Sequence, residues 1–261
     1  MLGLDPDPAR LWPESGGDVA AHCRAVIDAA GEACVAVKPQ VACFERLGAP
    51  GWEALYATAE HARAAGLLVV ADAKRGDIDI SARRYAEAFI APGGLQADAL
   101  TVSPYLGADS LEPFTAAASD AGAGLFVLVR TSNPGAADVQ DLELATGGRV
   151  WEHVARLVGG LGTPGGESGL GEIGAVVGAT APEHLARARE LMPHAVFLLP
   201  GIGAQGGRVE DLAPAFAPGR AAGLVTSSRS IVFAHESGGG EPPAAARAEA
   251  ERLRAAAWSL A

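Results

Sequence analysis

Apolar positions along this chain follow two alternating rhythms. Short continuous runs recur at LGLD (2–5), CVAVKP (34–39), LLVVADAK (67–74), ALTVSP (99–104), GLFVLVRT (124–131), GAVVGAT (174–180), AVFLLPG (195–201) and AGLVTSS (222–228). Between them the apolar residues return every third or fourth position, as in VAAHCRAVIDAAG (19–31), WEALYATAEHARAAG (52–66) and PEHLARARELM (182–192). The first kind reads as strands covered on both faces and the second as amphipathic helices, so their alternation predicts βαβ units around a parallel sheet. Eight such units predict an α/β chain folded as one (β/α)8 barrel over residues 1–261. An open doubly wound sheet usually has fewer strands.

The ends and one loop refine that outline. The chain enters its first predicted strand almost at once, so no helix before Leu2 is expected to cap the barrel floor. The Gly-rich GLGTPGGESGLGE (160–172) predicts a mobile loop at the floor, ahead of the sixth strand. After GGGEPP (238–243), the tail AAARAEAERLRAAAWSLA is rich in helix formers and is expected to close the outer ring.

The third strand ends in an unusual way. Residues two apart share a strand face, so Leu68, Val70, Asp72 and Lys74 point one way and Val69, Ala71 and Ala73 the other. If the first set faces the barrel axis, an acid and a base stand at the C-terminal mouth, where barrel active sites are built. Lys38 ends the preceding strand in the same manner, which predicts a cross-barrel cluster of Lys38, Asp72 and Lys74. Of the 20 basic residues all but these two lysines are Arg. A compact ammonium able to release a proton therefore occurs only at two strand ends. The plainer alternative is a structural salt bridge at the barrel mouth.

Charge and composition narrow the partners. A net charge of −11 argues against a nucleic-acid or anionic-membrane binder, since both repel an acidic surface. An anionic small molecule then needs a local basic pocket. PGIGAQGG after the seventh strand (Pro200, Gly201, Gly203) offers backbone N–H groups at a Gly-rich turn, and SSRS after the eighth adds Ser228 and Arg229. Such turns and a bidentate cation suit a phosphate, at the usual phosphate site of barrels. RTSNPG after the fifth strand carries Ser132 and Asn133, suited to the amide edge of a ring, and LDPDP carries Asp5, suited to sugar hydroxyls. Asx and Ser turn chemistry accounts for either loop equally well.

Cys23, Cys34 and Cys43 are an odd, sparse set without CxxC spacing, which fits a reducing cytoplasm. No run reaches the roughly 18 apolar residues of a membrane span, and no secretory signal pattern opens the chain. The six histidines are scattered, with no HxH or HExxH, so no tightly bound transition metal is expected.

These stretches carry a family resemblance. DAKRGDI fits the DxKxxDI signature of orotidine 5′-phosphate decarboxylases, and VKPQ, SPYLG, LVRTSNPG, VGAT, PGIGAQGG and SSRSI resemble their bacterial type 2 subgroup. The resemblance implies a homodimeric barrel with shared active sites that converts orotidine 5′-phosphate to UMP and CO2 without metal or cofactor. It implies that Lys74 is the proton donor, with Lys38 and Asp72 as charged neighbours and Asp77 lent to the partner subunit's site. It also makes Asp5 a ribose ligand, Ser132 a pyrimidine ligand and Arg229 the phosphate clamp. Ser81 stands where the family usually has Thr, and the resemblance implies a substrate contact for Gln205 while leaving open whether to phosphate, base or both. Three rivals remain: a Mg-dependent sugar-phosphate β-keto acid decarboxylase or synthase of the same barrel lineage, a Schiff-base aldolase, and a catalytically silent nucleotide-binding barrel. Adjacent carboxylates, which keep an amine protonated, disfavour the aldolase.

Overall fold

Eight parallel strands lie side by side in chain order: β1 (Leu2–Leu4), β2 (Ala36–Pro39), β3 (Leu68–Arg75), β4 (Ala99–Val102), β5 (Gly124–Arg130), β6 (Ile173–Val177), β7 (Phe197–Leu199) and β8 (Gly223–Val225). The computed structural model describes residues 1–180, 182–203 and 206–260. Leu2 bridges Ser227, and the Gly3 amide donates to the Ser227 carbonyl at 2.8 Å, which closes the sheet into the expected barrel.

Two apolar layers hold the ring. Ala36, Val70, Ala99, Phe126, Val176 and Leu198, one from each of six strands, form a separate buried cluster inside it. Their sequence neighbours Val37, Val69, Ala71, Leu100, Leu125, Val127, Ala175, Val177, Phe197 and Leu199 belong to a second cluster shared with the helices outside. Period-two alternation thus sorts each strand between the two layers. On β3, Val70 fills the interior, while Leu68, at the strand's N-terminal end below that layer, is 54% exposed.

The outer ring comprises α1 (Val19–Ala30), α2 (Val41–Glu45), α3 (Ala49–Ala64), α4 (Asp79–Phe89), α5 (Glu112–Ala121), α6 (Val150–Leu161), α7 (Glu183–Leu191), α8 (Arg229–Val232), α9 (Ala234–Gly238) and α10 (Pro242–Trp258). The predicted helices correspond to α1, α3, α7 and α10. Helix α3 begins three residues earlier than the apolar rhythm suggests, because Gly48 caps it at φ +68° and Pro50 sits in its first turn. Between β7 and β8 the main connecting helix is 3-10 in form, Val209–Phe216, with Pro214 removing an amide donor from its interior. In the Gly-rich stretch, α6 continues to Leu161, Gly165 bridges Leu170, and the Gly171 amide donates to the His194 carbonyl at 2.9 Å.

One buried cation ties this side of the barrel. Arg189 of α7 donates through Nη1 to the carbonyls of Met192 (3.0 Å) and Ala195 (2.7 Å), and through Nη2 to those of Ala215 (2.6 Å) and Ala222 (3.2 Å). Its guanidinium also stacks 3.8 Å from the Phe197 ring centre. Burial lowers its pKa to about 10, which leaves it charged at neutral pH. Arg189→Met strips donors from several buried carbonyls at once and is expected to cost about 3 kcal/mol or more. Urea denaturation checks this: the midpoint falls with little change in slope, and an unchanged midpoint would show that water replaces the guanidinium without cost.

Candidate active site

The charged end of β3 sits directly above the inner apolar layer. Asp72, only 6% exposed, accepts four hydrogen bonds. Lys38 Nζ donates to its Oδ2 at 2.5 Å and Lys74 Nζ to its Oδ1 at 2.5 Å. Gln40 Nε2 reaches Oδ2 at 3.2 Å, and Thr101 Oγ1 donates to Oδ1 at 3.0 Å. Burial alone raises the carboxyl's pKa, but the charges and hydrogen bonds of the two lysines outweigh it and bring Asp72 down to about 2. Asp72 is an anion at any pH near neutrality. The two lysines differ in exposure: the Lys38 side chain is buried, whereas that of Lys74 is 43% exposed. Lys74 also has φ +49°, in the left-handed region that a non-glycine residue seldom adopts.

Above this floor opens a cavity of about 420 Å³ at the C-terminal ends of the strands. Its lining brings together ten of the residues singled out in the sequence: Asp5, Lys38, Asp72, Lys74, Ser132, Asn133, Pro200, Gly201, Ser228 and Arg229. Leu128, Val176 and Leu198 supply an apolar wall suited to the face of a flat ring. Gly3 allows the loop after β8 to come this close, since a Cβ there would stand 2.7 Å from that of Ser228. Gly203, at φ +75°, turns the chain beside Ser230, so it shapes the rim without lining the cavity. Among the described residues no carboxylate pairs with Arg229, so its guanidinium is available to an anion.

Asp77 and Ser81 do not line this cavity. Asp77 accepts the Ile78 amide at 2.8 Å beyond the end of β3, and Ser81 is exposed on α4. Gln205 lies outside the described residues.

Several contributors escaped the sequence reading. Thr101 and Gln40 complete the shell of Asp72; alternation places Thr101 inward two residues above Ala99, a signal that was available. Thr226 also lines the cavity, its Oγ1 buried and without a hydrogen-bond partner among the described residues. The loop carrying Ser132 and Asn133 is braced from behind. Arg130 grips Asp141 through Nε (3.1 Å) and Nη2 (2.9 Å), and Gln140 both accepts the Thr131 amide and donates to the Thr131 hydroxyl. Those partners lie about ten residues away in irregular chain, where no periodicity marks them. Among the described residues no group of three or more His, Cys, Asp and Glu side chains gathers as a metal site.

A parallel barrel with an ionised floor and a Gly-rich rim at its C-terminal mouth defines the class, that of the α/β-barrel enzymes. The model of the orotidine 5′-phosphate decarboxylase / HUMPS family matches residues 1–241. The orotidine 5′-phosphate decarboxylase of Rhodopirellula baltica is 47% identical over 222 residues, covering 82% of this chain and 72% of that protein. That of Haloarcula marismortui is 47% identical over 240 residues, covering 90% and 82%. The structure of Leishmania donovani UMP synthase superposes with a TM-score of 0.78 at 38% identity, over 98% of this chain and 53% of that one, so this chain spans about half of its length. The chain belongs to the orotidine 5′-phosphate decarboxylase / HUMPS family.

The Asp72 network has a pH signature. A carboxyl lowered on folding contributes stability that is complete above its ordinary value of 3.8 and is lost as pH falls through about 2. The stability difference between the wild type and Asp72→Asn is therefore expected to shrink by about 2 kcal/mol from pH 5 to pH 2. Chemical denaturation across that window checks it. A difference that stays constant would mean that the ion pairs give Asp72 no net stabilisation.

Proposed function

We infer that this protein is an orotidine 5′-phosphate decarboxylase, releasing CO2 and forming UMP as a step of pyrimidine nucleotide synthesis. The observation that carries the reading is one cavity floored by Lys38, Asp72 and Lys74 and rimmed by the Gly-rich turn and Arg229, in a chain of this family. The rim suits the phosphate, Asp5 the ribose, and Ser132 with Asn133 the amide edge of the pyrimidine.

The chemistry follows from the charges. When the bond from C6 to the carboxylate breaks, the electron pair stays on C6 in an in-plane orbital that the ring delocalises poorly. Stabilisation then comes from charge already in place. Asp72, held ionised by Lys38, disfavours the substrate carboxylate relative to neutral CO2. Lys74, the exposed member of the cluster, meets the carbanion and transfers its proton to C6. Binding of the phosphate far from C6 contributes to the transition state by drawing the rim closed.

We read the enzyme as a cytoplasmic homodimer in which Asp77 and Ser81 serve the partner's site. Two observations support the dimer: neither residue lines its own cavity, and apolar side chains stand exposed beside them, with Ile80 in the first turn of α4 73% and Tyr105 in the loop after β4 85% exposed. The free thiols of Cys23, Cys34 and Cys43 support the reducing compartment.

Loss of orotidylate absorbance on adding the protein tests the activity, with turnover expected to survive exhaustive EDTA treatment. Activity abolished by EDTA and restored by Mg2+ would move the assignment to the sugar-phosphate branch. Sharing of sites is tested by subunit exchange between Lys74→Ala and Asp77→Ala homodimers, each expected to be crippled. If Asp77 acts across the interface, a mixed dimer has one site lacking both residues and one intact, so activity returns to about one working site per heterodimer by symmetry. No recovery despite demonstrated heterodimers would place Asp77 in its own site.

A further inference from the structure

The backbone that carries Lys74 departs from a regular strand, and one hydroxyl occupies the gap. Pairing of β3 with β4 runs Val70 to Ala99 and Ala71 to Leu100, then resumes at Arg75 with Val102. Four steps along β3 therefore answer two along β4, and within this slip Lys74 takes its left-handed φ of +49°. Its amide, displaced from the ladder, donates instead to Thr101 Oγ1 at 2.9 Å. The same hydroxyl donates its single proton to Asp72 Oδ1 at 3.0 Å, the oxygen that also accepts from Lys74 Nζ. One donor and one acceptor function are both used, in the directions a hydroxyl allows. Thr101 is fully buried and does not line the cavity, so it acts through its neighbours and not on a ligand.

We propose that Thr101 is a positioning residue whose hydroxyl locks the left-handed turn at Lys74 and the carboxylate of Asp72 together, so that the ammonium is aimed at the reacting carbon. This rests on the decarboxylase reading for its kinetic consequence, although the lock itself is a property of the folded chain. Two anchors are needed because the long lysine side chain would otherwise swing about its backbone. The hydrogen bond from the Lys74 amide fixes where the side chain starts, and the shared carboxylate oxygen fixes where it ends. Misplacement of a reacting group by about 1 Å can cost about 100-fold in rate.

The test compares Thr101→Val, which keeps shape and loses both hydrogen bonds, with Thr101→Ser, which keeps the hydroxyl. For orotidine 5′-phosphate, Val is expected to lower kcat by about 100-fold while KM changes by less than about threefold, and Ser to recover to within about tenfold of wild type. If Val does not fold, Thr101→Ala removes the hydroxyl without placing a methyl against the carboxylate and is expected to show the same split. A kcat within threefold of wild type for a folded Val or Ala variant, or a Ser variant as slow as Val, would overturn the proposal.

A second readout does not depend on activity. The chain has only two lysines, so protein labelled with 13C at lysine Cε gives two resonances, and Lys74→Arg identifies which belongs to Lys74. Loss of the Thr101 hydroxyl is expected to shift the Lys74 signal, and Ser to restore it. An unmoved signal refutes the lock. If the wild type fails to decarboxylate orotidine 5′-phosphate while the signal still shifts, the functional reading fails and the lock stands.

Discussion

A carboxylate in a nearly dry place is the constraint around which this molecule is arranged. Asp72 stands one layer above side chains as apolar as Val70, Phe126 and Leu198, where an unpaired charge would be neutralised by a large rise in pKa. It stays ionised because three neighbouring strands and one loop converge on its two oxygens: Lys38 from β2, Lys74 from β3, Thr101 from β4 and Gln40 just after β2. Removing any one donor leaves an oxygen short in a region of low dielectric, so the group behaves as a unit. Two ammonium groups against one carboxylate also leave a surplus positive charge facing the cavity. In a chain of net charge −11, that local surplus lets an anion enter.

The rest of the site is graded by how firmly it is held. The floor rests on strands whose inner and outer faces are both packed, so its geometry is as rigid as the barrel. The rim is built of turns and depends on local braces: Arg130 with Asp141 behind Ser132, the close approach of Gly3 to Ser228, and the 2.5 Å contact between the Ser227 and Ser230 hydroxyls. On the decarboxylase reading, a rigid floor with a less regular rim suits a reaction in which charge placement decides the rate and phosphate capture needs some movement.

What could be read in the sequence follows the same gradation. The strands are continuous apolar runs between amphipathic helices, so the eight runs were legible from pattern, and alternation along the third put Val70, Asp72 and Lys74 on one face with Leu68, which the structure leaves exposed at the strand's start. Lysine scarcity then singled out Lys38 and Lys74. Thr101 was missed because a threonine in an apolar run reads as an ordinary β-branched strand former; only the missing ladder bond of Lys74 reveals its task. Arg189 was missed because an arginine in a polar helix reads as a solvated charge, and nothing local shows that the chain folds back over it. Asp77 is a different case, since spacing carried it past the strand end but no single chain shows what faces it.

The contrast between Arg189 and Lys74 shows why a lysine, and not an arginine, suits position 74. Arg189 satisfies carbonyls from several segments with a planar fork, a task in which a fixed charge and many donors are the whole requirement. On the decarboxylase reading Lys74 has the opposite requirement, a single mobile proton on a compact group held at one point. A guanidinium there would bridge Asp72 in bidentate fashion and satisfy the floor, yet it would not give up its proton near neutral pH. The floor's stability and its chemistry therefore ask for different cations. The left-handed backbone at Lys74 and the hydroxyl of Thr101 are what let the ammonium meet Asp72 without giving up its reach into the cavity.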